Sequence, residues 1–116
     1  MARNRTKRSF EELVNEAVEE GLSSLGESAK QAIYYYLEKG FNLNKQEIPY
    51  KIKDFATAIE KFFGVGANFL EMLILKQLYE KAGQSFNLDT SEDVNFSERI
   101  VLAKRSIGTE QLVTKT

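Results

Sequence analysis

Apolar residues recur at spacings of three and four through Phe10, Leu13, Val14, Ala17, Val18 and Leu22, which marks one face of an amphipathic helix. Just ahead of them, Ser9 and Glu12 have the spacing of a capping box, in which each side chain serves the other residue's backbone amide. A helix is therefore predicted from Phe10 to Gly21 or slightly beyond. Glu11, Glu12, Glu16, Glu19 and Glu20 fall largely off the apolar face, and those in the first turn suit the positive end of the helix dipole.

A second cap, Ser24-Leu25-Gly26-Glu27, opens a helix that runs to about Lys39 with Gly40 as its stop. Its buried stripe is Ala29, Ala32, Ile33, Tyr36 and Leu37, the alanines letting another helix approach closely. Tyr34, Tyr35 and Tyr36 cannot share one side, because successive helical residues lie about 100° apart. At least one of them points to the flank. Asn44 can cap a short turn at Lys45 to Glu47, and Ile48-Pro49, which pushes Ile48 out of helical geometry, separates that turn from the third helix. The third helix spans Ile52 to Phe63 and buries Ile52, Phe55, Ala56, Ile59, Phe62 and Phe63, with Gly64 as a left-handed cap.

From Gly66 to Ala82 the pattern changes. Phe69, Leu70, Met72, Leu73, Ile74, Leu75, Leu78 and Tyr79 occupy almost every side of the helix, and such a helix is enclosed by other elements. Gly66 admits close packing at its start and Gly83 ends it. Gln84 to Asn95 is polar and reads as a loop. A last helix, from about Phe96 to Ile107 and capped by Asn95 or Ser91, buries Phe96, Ile100, Ala103 and Ile107, leaving Val101 and Leu102 partly outside.

The fold class is all-α: a small bundle of four to five helices with a buried central helix. Residues 1–8 form a basic flexible arm, 9–107 a single helical domain, and 108–116 a flexible tail. In a chain of 116 residues, three neighbours can scarcely enclose the central helix completely. Some of its surface is expected to meet a protein partner or a second copy, as in a homodimer. Tyr34, Tyr35, Phe69, Met72, Leu75 and Tyr79 are the candidate interface residues.

Composition then narrows the chemistry. The chain has no His, Cys or Trp, so acid, base and nucleophile roles would fall to carboxylates, lysines, tyrosines and hydroxyls. Glu11 and Glu12 diverge on their helix and make no acid–base dyad. Asp89, Glu92 and Asp93 lack the alternating ligands, turn glycine and closing Glu of a calcium loop. Gly64-Val65-Gly66-Ala67 lacks the preceding strand and the Lys-Ser/Thr of a phosphate loop. No enzyme activity, catalytic residue, metal or cofactor is expected.

Net charge is -1, which offers nucleic acid little average attraction. Arg3, Arg5, Lys7 and Arg8 nevertheless concentrate positive charge in the arm, which reads first as a solvated tail and second as a contact for phosphate or for the acidic first helix. The tight turn between the third and fourth helices raises a DNA-binding helix pair, but the second of these offers base edges only Asn68, Lys76 and Gln77. A ligand pocket lined by Phe62, Phe69, Met72 and Tyr79 is a third reading, although such clusters are ordinarily core. The N-terminus lacks the apolar run of a secretory leader, and no apolar stretch is long enough for a bilayer. A cytoplasmic protein without membrane contact is expected.

The segments Ser24-Leu25-Gly26-Glu27-Ser28-Ala29-Lys30-Gln31-Ala32-Ile33-Tyr34-Tyr35-Tyr36-Leu37-Glu38, Ile48-Pro49 and Phe63-Gly64-Val65-Gly66-Ala67, with Phe55 and Ile59, resemble a small archaeal helical domain family. That family, long classed as a domain of unknown function, occurs free-standing and as an output module of archaeal two-component proteins. The resemblance covers residues 22–81 and implies an archaeal signalling output-like domain. Its motifs are turn and packing residues, so it implies no catalytic or ligand residue.

Overall fold

The computed structural model describes residues 9–86 and 94–115, with side chains in the second stretch through Ile107. Among the described residues the chain is all-α, with five α-helices and no strand. They are α1 (Phe10–Ser23), α2 (Glu27–Phe41), α3 (Ile52–Phe63), α4 (Ala67–Lys81) and α5 (Phe96–Lys115), with 3-10 turns at Lys45–Tyr50 and Gly64–Gly66.

The helix starts follow the predicted chemistry. The Ser9 hydroxyl accepts from the Glu12 amide at 3.1 Å while Glu12 Oε1 accepts from the Ser9 amide at 3.0 Å. Asn95 and Glu98 repeat the arrangement ahead of α5, at 2.9 and 3.0 Å. Ser24 behaves differently from the expectation. Its hydroxyl donates to the Gly21 carbonyl at 2.6 Å, closing α1, while Gly26 (φ 105) leads into α2.

Helix ends depart more often. α2 passes through Gly40 to Phe41, and Asn42 takes the left-handed conformation (φ 51) at which a helix can stop. The Leu43 amide turns back to the Leu37 carbonyl, and both side chains are buried. The turn after Asn44 does not end before Ile48-Pro49 but includes both, because a 3-10 turn tolerates the missing proline amide and Ile48 anchors it in the core. α5 does not stop at Ile107. Its backbone stays helical through Lys115, so residues 108–115 continue a helix where a tail was expected.

α4 is the central helix, packed against α1, α3 and α5. It buries Ala67, Leu70, Ile74, Leu75 and Leu78 against Leu13, Val14, Ala17, Val18 and Leu22 of α1, Phe55, Ala58 and Ile59 of α3, and Phe96, Ile100, Ala103 and Ile107 of α5, all in one core. Close approach occurs at Gly21, where a Cβ would stand 2.8 Å from Ile74 Cγ1. Neither Gly66 nor Ala32 serves that purpose: a Cβ on Gly66 would meet Phe63 only at 3.9 Å, and Ala32 is exposed. No helix among the described residues is long and apolar enough to cross a membrane.

Candidate interaction surface

The corner between α3 and α4 is where apolar side chains leave the core. Gly64 takes a positive φ of 59°, ending α3, and the 3-10 turn Gly64–Gly66 swings the chain directly into α4. This short path leaves Val65 at the apex, fully exposed (101 %). Phe62 is 43 % exposed and Phe69 66 % exposed. Val65 and Phe69 stand four residues apart across the 3-10 turn and the start of α4, and Phe62 lies on the last turn of α3 before the break at Gly64. Phe62 is held from the inside by Tyr36 of α2, edge-on with ring centroids 4.7 Å apart, and by Phe63 at 5.0 Å. The result is an apolar knuckle on an aromatic base, and it replaces the expectation that Phe62 is buried.

Two residues beyond Phe69 lies a buried polar residue. Glu71 of α4 is 6 % exposed, and its Oε2 is buried without a hydrogen-bond partner among the described residues. Glu60 of α3 lies within hydrogen-bonding reach. Burial, then the neighbouring Glu60 charge, pushes the Glu71 carboxyl up to about 7.

The candidate residues read from the sequence divide into separate environments. Tyr34 is structural: its hydroxyl donates to Glu19 Oε1 at 2.8 Å and Lys45 lies 4.8 Å over its ring. Burial and the Glu19 hydrogen bond both raise its phenol. Tyr35 is exposed on α2, with Lys39 6.0 Å from its ring. Leu75 is 0 % exposed and belongs to the core, so it cannot be a surface contact. Met72 is half-buried one turn beyond Phe69. Tyr79 packs on Phe86 at 5.4 Å, and its distance of ten residues from Phe69 is about 15 Å along the helix. Tyr79 thus stands nearly three turns along α4 from Phe69, with its ring against Phe86. Of the six candidate interface residues, Phe69 belongs to the knuckle and half-buried Met72 follows it by three residues.

An opening of about 630 Å³ lies between the start of α1, the 3-10 turn before α3, and α5. Phe10, Ile52 and Ile100 line it together with exposed Tyr50 and Val101. Lys104 bridges its rim to Glu11 at 3.2 Å. Its remaining charges are mixed, with Lys51, Lys53, Asp54 and Glu98 all present.

Among the described residues no group of three or more carboxylates is placed to hold a metal ion. Asp89, Glu92 and Asp93, like Arg3, Arg5, Lys7 and Arg8, lie outside the described residues. The sequence pattern singles out neither Val65 nor Glu71 and places Phe62 in the core. For Glu71 a signal is available, since a lone carboxylate amid Phe69, Leu70, Met72, Leu73, Ile74 and Leu75 has nowhere uniformly polar to point.

No family model, curated protein or solved structure matches this chain. Geometry is then the ground for a functional reading.

Proposed function

We propose that this chain is a non-enzymatic interaction or regulatory module of an archaeal cytoplasm. It acts by burying the α3–α4 corner against a protein partner, in the first instance a second copy. The observation that carries this reading is the knuckle itself: Phe62, Val65 and Phe69, all within eight residues of one corner, are exposed although the same helices bury many other apolar side chains. Exposed apolar side chains gathered at one corner mark interaction sites more often than scattered single residues do. The resemblance of residues 22–81 to an archaeal output domain supports the regulatory half of the reading.

Sedimentation velocity from micromolar to near-millimolar concentration tests it. The unaltered chain should sediment faster as concentration rises, and the double variant Val65→Asp, Phe69→Asp should stay monomeric. Both substituted side chains are exposed, so the fold should persist. A strict monomer throughout would remove the self-association reading.

The second reading is contact between the basic arm and nucleic acid. It is favoured by the state of the acidic first helix, whose glutamates already have partners. Glu11 meets Lys104, Glu19 meets Lys30 and Lys45, and Lys81 meets both Glu16 and Glu20. The helix thus offers Arg3, Arg5, Lys7 and Arg8 less unpaired charge than its sequence suggests. Filter binding at low salt, with and without residues 1–8, checks this, and absence of binding eliminates it.

A further inference from the structure

We propose that the Glu60–Glu71 carboxyl pair is a proton-operated latch on the α3–α4 corner. With one proton held between them the two helices close over Glu71; loss of that proton forces them apart and changes how Phe62, Val65 and Phe69 are presented. This deepens the interaction reading, on which its functional meaning rests.

The geometry makes the pair unusual. Glu71 extends from the central helix into the seam with α3, and one of its oxygens is buried there with no hydrogen-bond partner among the described residues. Two carboxylates cannot both ionise cheaply at such proximity in a poorly solvated site, whereas an acid and a carboxylate can share a hydrogen bond. Glu60 is exposed, so its carboxyl gives the buried partner a route to solvent protons.

Among the described residues, no cation of a neighbouring element acts on Glu71. On α3, Lys53, Asp54 and Lys61 are exposed, and Glu60 is the charged group acting on Glu71 among the described residues. On α1, Glu16 and Glu20 meet Lys81, ten residues beyond Glu71 and about 15 Å along α4. On α5, Arg99 acts on Tyr79, which lies about two turns beyond Glu71 on α4. The 3-10 turn Gly64–Gly66 has no ionisable side chain.

The pair is also well placed mechanically. Glu60 precedes Phe62 by two residues, and Glu71 follows Phe69 by two. Separation of the helices at the pair therefore moves both flanks of the knuckle, with Val65 at the hinge between them. Glu71 titrates close to neutrality, where modest changes of pH alter its charge.

The test uses the full chain, with amide and carboxyl NMR at a dilution where only monomer sediments, from mildly acid to mildly alkaline pH. Glu71 should titrate near pH 7, and amides from residue 60 to residue 72 should shift with the same midpoint. Glu71→Gln, which keeps the neutral form, should abolish that transition while preserving the acid-form spectrum. Glu60→Gln supplies a donor and should move the midpoint to lower pH. An ordinary carboxylate titration of Glu71, or a Glu71 transition that leaves the corner amides still, overturns the latch. Sedimentation across the same pH series reads the functional consequence separately. Absence of association at every pH would defeat the interaction reading while the NMR transition still decides the latch.

Discussion

Glu19 and Glu71 both lie at seams between helices, and the fold treats them in opposite ways. Glu19, on α1, accepts from Lys30 at 2.7 Å and from Tyr34 at 2.8 Å, with Lys45 at 3.8 Å. Those hydrogen bonds, Lys30 first, hold its carboxyl below the ordinary carboxylate range. Glu71 faces Glu60 and retains an oxygen without a partner among the described residues. The first arrangement ties α2 to α1. The second sets two carboxyls against each other where α3 meets α4, close in sequence to exposed Phe62 and Phe69. A seam that satisfies its polar groups reads as scaffold, whereas one that leaves a buried carboxyl unmatched reads as a place where conformation can respond.

The largest test of this contrast is Glu71→Gln. In the folded chain Glu71 is raised from 4.5 to about 7, so between those values the folded state holds a proton that the unfolded state has released. Stability from this group is therefore full below its unfolded value and falls as pH rises through the folded one, by about 3 kcal/mol in total. Urea unfolding followed by circular dichroism should show the glutamine variant more stable by about 2–3 kcal/mol near pH ~8 and little different near pH ~4. Equal stability at both pH values would erase the contrast.

Packing provides a control without charge. Gly21→Ala gains helix propensity but drives a methyl to within 2.8 Å of Cγ1 of Ile74, a β-branched and fully buried side chain of α4. The net cost should be about 1–2 kcal/mol and the same at every pH. A pH-dependent cost would mean that the α1–α4 crossing, not the Glu71 seam alone, responds to protons.

The opposite pH signature belongs to the scaffold seam. Glu19→Gln should cost about 1 kcal/mol at neutral pH, a figure kept small because this carboxylate is partly solvated. Its lowered value makes that contribution present above the ordinary carboxylate range and lost as pH falls through the folded value. The cost should therefore vanish in acid, where that of a packing variant persists. Tyr34→Phe removes one of the same hydrogen bonds and should cost about 1 kcal/mol or less. Lys104→Ala breaks only a rim pair with Glu11, so its effect should lie below about 0.5 kcal/mol and fade with salt.

Much of the architecture was legible in the chain. The bounds of α3, the start of α1 with its Ser9–Glu12 cap, and the buried face Phe96, Ile100, Ala103 and Ile107 are local in origin. Each depends on residues within a few positions of one another, which periodicity and capping rules describe directly. Ends were less legible, because Gly40 and Asn42 compete as stops and packing of Leu43 favours the later one.

The candidate surface was legible only as a surplus: α4 carries more apolar residues than one face requires. Periodicity gives each residue an angle on its own helix but does not say where neighbouring helices run out. Only the tertiary arrangement decided that Leu75 is enclosed while Phe69 is not, that Tyr34 is tethered while Tyr35 faces solvent, and that Val65 crowns a corner. It alone also decided the two carboxylates. Their chemistry depends on partners brought from elsewhere in the chain, Lys30 and Tyr34 to Glu19 but Glu60 to Glu71. The pattern of the sequence determined the helices, and their assembly determined which polar groups found partners, because burial and charge pairing are properties of neighbours in space.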